Sequence, residues 1–176
     1  MRTSLVLILL LLLPGCFSLR PGATKSGKNH FETFYVGAEG TQYFIKPLAF
    51  SETTTGEDLL VDFTFRYRDV VSDTAILHIS LHGPDIIRTV DHISFATHAM
   101  KVRISPVELM FNETGKEGFH SRFECFMSLS DLNRLFSDPD WRIVVCGSGP
   151  CSEYEATDKT RKIIPELEDT VFVLMR

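Results

Sequence analysis

From residue 61 to 68 apolar and polar side chains alternate, with Val61, Phe63, Phe65 and Tyr67 on one side and Asp62, Thr64, Arg66 and Arg68 on the other. Successive side chains of a strand point to opposite faces, so this pattern predicts a strand with one buried and one wet face. The alternation recurs three times. Ala75, Leu77, Ile79 and Leu81 oppose Thr74, His78, Ser80 and His82; Met100, Val102 and Ile104 oppose Lys101, Arg103 and Ser105; Phe119, Phe123, Cys125 and Met127 oppose His120, Arg122 and Glu124. Strands of a parallel sheet read instead as continuous apolar runs, so antiparallel pairing is expected. Weaker strand patterns lie at 31–36, 41–46, 91–97 and 141–146, and turn-forming residues cluster at 37–40, 53–58, 69–73 and 112–118. The expected fold is mainly β: an antiparallel β-sandwich-like or open-barrel domain with one short helix and a C-terminal helical segment.

The helices have identifiable ends. Ser128 or Ser130 can cap a short one that places Leu132, Leu135 and Phe136 on one face, and Pro139 stops it. Thr157 can cap a second carrying Ile163, Ile164 and Leu167. Pro165 interrupts that pattern, so the helix either kinks there or restarts with Pro165 in its first turn and Glu166, Glu168 and Asp169 near its positive end.

Composition fits a chain that folds on its own, since 44% of the residues are apolar and 14 are phenylalanine. The length suits a single β-rich domain over 31–176. The formal charge of -5 disfavours nucleic acid as a partner, because such binding releases counterions through Lys and Arg.

The first fifteen residues have the layout of an export signal. Arg2 supplies a positive start, and an apolar run from Leu5 to Leu13 precedes Pro14 and Gly15. The run is too short to span a membrane, which takes about 20 apolar residues. Leu13, Gly15 and Cys16 resemble the bacterial lipobox, with Pro14 at the position where Ala, Ser or Thr is more usual. That resemblance implies cleavage before Cys16, a diacylglycerol thioether on its sulfur, and membrane attachment through lipid. Phe17, rather than Asp, resembles the residue after the cysteine in lipoproteins sent to an outer membrane. Residues 16–30, rich in Gly, Ser, Lys and Pro, then read as a tether reaching on the order of 20 Å. Two other readings stay open: an ordinary secretory signal cut after Ser18, and a retained anchor. Under the second of the three, Asn112-Glu113-Thr114 is a glycosylation acceptor if the source is eukaryotic. From Phe119 onward, Ser128-Leu129-Ser130-Asp131-Leu132, Leu135-Phe136, Asp140-Trp141, Tyr154 and Thr157-Asp158-Lys159-Thr160 resemble the C-terminal part of small uncharacterised bacterial envelope lipoproteins. Those motifs are structural and imply a compartment, not a chemistry.

Candidate chemistry is sparse. Cys146 and Cys151 flank Gly147-Ser148-Gly149-Pro150, so a hairpin there places them at facing positions where a disulfide or two free thiols are both possible. Cys125 shares a face with Phe123 and Met127 and reads as a buried thiol. His78 and His82 would chelate a metal on a helix, but on a strand they stand about 13 Å apart. A zinc site therefore needs His92, His98 or His120 to converge from elsewhere. Ser148 lacks the Gly-x-Ser-x-Gly elbow of a hydrolase, and Glu52, Glu57, Asp58 and Asp62 fall on loops or an outer strand face. No catalytic, cofactor-binding or metal residue is assigned. The expectation is a lipid-anchored envelope protein of non-enzymatic type, binding another envelope protein or a glycan. The alternative is a metal-binding protein or hydrolase using loop histidines and carboxylates.

Overall fold

A computed structural model describes residues 30–175 apart from 38–39, 56, 68–73 and 116–117. The signal, Cys16 and most of the tether lie outside the described residues, as does the turn at 69–73. Ten strands among the described residues form one antiparallel sheet: β1 (Phe31–Tyr35), β2 (Thr41–Glu52), β3 (Asp58–Tyr67), β4 (Thr74–Gly83), β5 (His92–Ala96), β6 (Lys101–Ile104), β7 (Glu108–Gly115), β8 (Gly118–Ser128), β9 (Arg142–Cys146) and β10 (Ser152–Ala156). Their order is β6-β5-β9-β10-β2-β3-β4-β8-β7, with β1 beside β2, and the sheet curls into a half-barrel. Helices α1 (Leu129–Phe136) and α2 (Asp158–Thr170) and a 3-10 turn (Phe172–Met175) complete these elements.

The predicted apolar positions of β3, β4 and β8 face inward. Val61, Phe63, Leu77, Ile79, Phe123 and Cys125 are fully buried, and α1 and α2 contribute Leu132, Leu135, Ile164 and Leu167 to the same core. Trp141 stands among Phe50, Phe63, Phe95 and Phe136, with ring centroids 4.8 to 6.4 Å away. Its indole N–H donates to the carbonyls of Leu135 at 2.9 Å and Asp138 at 2.7 Å, so the core's one tryptophan carries no buried unpaired donor.

Two elements differ from the expectation, and at a third the structure decides between alternatives. The strand at 41–46 continues to Glu52, because a register shift between Ile45 and Leu48 absorbs Pro47, which cannot donate to a ladder. Residues 112–118 are not one turn: β7 runs from Glu108 to Gly115, hydrogen-bonded along β8. Its periodicity is broken at the Leu109/Phe111 bulge, and most of its side chains are exposed, so burial left little pattern to read. The Asn112 sequon accordingly lies within a strand, with its amide oxygen buried. Of the two readings at Pro165 the restart is excluded, since Pro165 sits inside α2, a single helix over Asp158–Thr170.

The capping serine of α1 is Ser128, whose hydroxyl accepts from the Asp131 N–H at 3.1 Å. Thr157 caps α2 by accepting from Thr160 N–H at 3.3 Å. These caps also reach the sheet. Where β2 passes from its pairing with β1 to its pairing with β10, Ala49 has no strand on that side among the described residues. The Thr160 hydroxyl fills the gap, accepting from Ala49 N–H at 3.0 Å and donating to Ala49 C=O at 2.7 Å.

Candidate functional site

The outer face of β3, β4, β8 and β7 carries a polar array in cross-strand rows. In one row Asp62, His78 and Glu124 stand opposite one another. His78 Nδ1 lies 2.9 Å from Asp62 Oδ1, and its Nε2 lies 3.3 Å from Glu124 Oε2. Arg122, from the next row, donates to Asp62 Oδ2 at 2.7 Å and to Ser80 Oγ at 2.7 Å. Asp62 was expected to be wet, yet its side chain is only 3% exposed. The reason is that His78 and Arg122, from two neighbouring strands, both reach onto it.

This network is saturated. Both nitrogens of His78 face carboxylates, which leaves neither for a metal or for proton transfer, and Ser80 accepts a strong bond from Arg122. A general base needs a free nitrogen within hydrogen-bond reach of its proton. Its role is to hold β3, β4 and β8 in register.

The next row is built differently. His82 on β4 pairs with His120 on β8, and His120 pairs with Glu113 on β7. The two imidazoles stack with centroids 4.4 Å apart and planes inclined by 11°. His120 Nδ1 lies 2.8 Å from Glu113 Oε1, while its Nε2 is buried without a hydrogen-bond partner among the described residues. Phe111 meets the same ring edge-on, with centroids 5.4 Å apart. Burial and the neighbouring His120 hold the His82 imidazole below its ordinary pKa, against the pull of Asp58 and Glu113.

The remaining candidates are scattered. His92 begins β5 opposite Cys146. His98 lies in the β5–β6 turn, where its backbone N–H and Nδ1 approach Asp138 Oδ2 at 3.1 and 3.3 Å. His98, Asp138 and Asp140 offer ligand atoms within 4.8 Å of one another. These carboxylates are already engaged: Asp138 Oδ1 accepts from the Asp140 N–H at 2.9 Å, and Asp140 Oδ1 pairs with Arg161 at 3.0 Å. Burial acts to raise the Asp138 pKa, but the N–H groups of Asp140 and His98 prevail and hold it below its ordinary value. The cluster borders a shallow groove of about 340 Å³ that also contains Arg142, Glu155 and Arg161. Glu52 is bound locally by the Thr55 N–H and hydroxyl, and Glu57 and Asp58 lie apart from the His98 groove.

Cys146 and Cys151 form a disulfide with Cα atoms 4.3 Å apart, one step beyond the Val145–Ser152 pair of the β9–β10 hairpin. Of the two expectations, the bond is the one observed. Ser148 lies in the turn it closes, on the wall of a groove of about 550 Å³ with Arg88 and Tyr154, and a strand rather than a helix follows. Gly147 is required there, since a Cβ would stand 2.7 Å from the Thr89 carbonyl. Cys125 is free and buried, and that burial pushes its thiol up to about 12.

No family model matches the chain, and neither does any curated protein or solved structure.

The His82–His120 row was not legible as a pair. Neither residue is near the other in sequence, and only the β4–β8 register brings them face to face. Alternation did place both on the polar side of their strands.

Proposed function

We propose that the chain is a lipid-anchored envelope protein of non-enzymatic type, a binding or assembly module for another envelope protein or a glycan. The observation that carries the binding role is the open edge at β7. Its outer backbone has no strand beside it among the described residues, and Leu109, Met110 and Phe111 are 40%, 48% and 39% exposed there. Phe126, on the adjacent β8, is 48% exposed. Edge strands are usually blunted by charge, proline or cover, and a strand that keeps apolar side chains at its edge invites addition of another strand. The bulge at Met110 keeps that edge from extending indefinitely. Aromatic side chains suit a sugar face as well as a protein, but the unpaired backbone favours a protein strand.

The lipid anchor rests on Cys16 and on the signal-like run before it. The Cys146–Cys151 bond supports an exported location, because disulfides persist in oxidising compartments.

Two measurements test the reading. Intact mass and membrane partition of the wild type are compared with Cys16→Ala; a diacylglyceryl mass and membrane retention are expected only for the wild type. A mature chain starting at Leu19 overturns the anchor. A photo-crosslinking residue at Met110 or Phe126 is compared with one at Asp158, on the exposed side of α2. Discrete adducts from the β7 edge alone, abolished by Met110→Pro, are expected. Equal labelling from Asp158 overturns the edge as the binding surface.

A further inference from the structure

We propose that His82 and His120 form a binding site for a divalent transition-metal ion, zinc above all, with Glu113 orienting His120. This site does not rest on the docking role of β7, although Glu113 and Phe111 lie on that strand. Three features of the row point to it. First, the β4–β8 register sets the two imidazoles directly opposite each other, 4.4 Å between centroids. Their in-plane lone pairs run nearly parallel in this stack, so binding requires the rings to tilt toward each other until one nitrogen of each reaches a metal at about 2.0–2.1 Å. Second, His120 Nδ1 is taken by the Glu113 carboxylate at 2.8 Å. A carboxylate on one ring nitrogen fixes the tautomer with its proton on that side, leaving the lone pair on the other nitrogen for a metal. Third, that other nitrogen, Nε2, is buried and has no hydrogen-bond partner among the described residues. An orphaned buried nitrogen costs free energy, and an ordered water or a metal ion satisfies it.

The surroundings suit a cation. Asp58 on β3 and Glu113 on β7 flank the pair and act electrostatically on His82. The cationic side chain of the array, Arg122, is held by Asp62 and Ser80. Phe111 covers the His120 ring, which lowers the local dielectric and strengthens ligation. Imidazole donors select zinc, copper or nickel over calcium and magnesium, whose preferred ligands are oxygens. With two protein nitrogens as ligands, water completes the coordination. The His98, Asp138 and Asp140 cluster is the poorer competitor, because Arg161 neutralises Asp140 and backbone N–H groups occupy Asp138.

The test is calorimetric titration of the untagged full-length chain with zinc chloride, alongside His82→Gln, His120→Gln, Glu113→Gln and His98→Gln. One zinc per chain is expected. His82→Gln and His120→Gln should each weaken it at least about tenfold, Glu113→Gln roughly 10- to 100-fold, and His98→Gln not at all. Imidazole resonances of the wild type, followed by NMR during the titration, give a readout that needs no variant: zinc should shift His82 and His120 and spare His78, His92 and His98. Absence of stoichiometric zinc binding overturns the proposal. So does binding that survives both His82→Gln and His120→Gln, or resonance shifts confined to His98, which would assign the ion to the Asp138–Asp140 cluster.

Discussion

Replacing Thr160 by valine removes one hydroxyl from the junction of α2 and β2 and keeps the shape of the side chain. Thr160 is 1% exposed, and its hydroxyl both accepts from Ala49 N–H and donates to Ala49 C=O. The carbonyl retains two donors in the variant, the Thr157 hydroxyl at 3.1 Å and the Thr157 N–H at 3.2 Å. The amide retains none among the described residues. Leaving a buried donor unpaired costs about 1–3 kcal/mol. A groove of about 170 Å³ beside Ala49 and Thr160 admits water, which places this case in the lower half of that range. About 1–2 kcal/mol corresponds to a fall in Tm of roughly 2–8 °C for a domain of this size. Thermal unfolding measures the loss, and amide hydrogen exchange locates it. The Ala49 N–H should lose protection in Thr160→Val and keep it in Thr160→Ser, which deletes a methyl but preserves the hydroxyl. Wild-type Tm with a protected Ala49 amide in Thr160→Val would refute the reasoning.

Three further outcomes follow from buried groups. Cys125, with its thiol pushed up to about 12 by burial, should resist a thiol reagent at pH 8 in the native protein and react once denatured, so rapid native labelling would contradict its placement. Burial likewise pushes the Tyr154 phenol up to about 12, with Glu57 and Glu52 adding to the shift against the Ser152 hydrogen bond. Its raised folded pKa means its contribution to stability is intact below pH 10 and is lost as pH rises toward 12; ultraviolet titration and unfolding in that window check this, and a Tyr154 that ionises near 10 would count against it. Asp62→Ala strips the shared acceptor from Arg122 and His78 and should cost about 3 kcal/mol, the low end for a broken buried pair because Arg122 is 23% exposed and can turn to solvent. Combining it with Arg122→Ala should cost less than the sum of the two single changes in denaturant unfolding; strict additivity would show that the pair is not coupled.

Alternation by itself determined the β class, the inward faces of β3, β4 and β8, and the burial of Cys125, because period two in hydrophobicity is a direct image of which side of a strand meets the core. The caps at Ser128 and Thr157 were equally local, since capping depends on residues three apart. Pro47 and the β7 bulge hid strand from that reading, because each breaks the repeat where pairing continues. Which polar residues meet across the sheet was decided only by register. Asp62 is dry because His78 on the adjacent β4 and Arg122 on β8, one strand further, both reach onto it, and His120 meets His82 because β4 and β8 align in one register rather than the next. A sequence records the face each side chain takes. The partner opposite it is fixed by long-range pairing, whose specification is spread over the whole sheet.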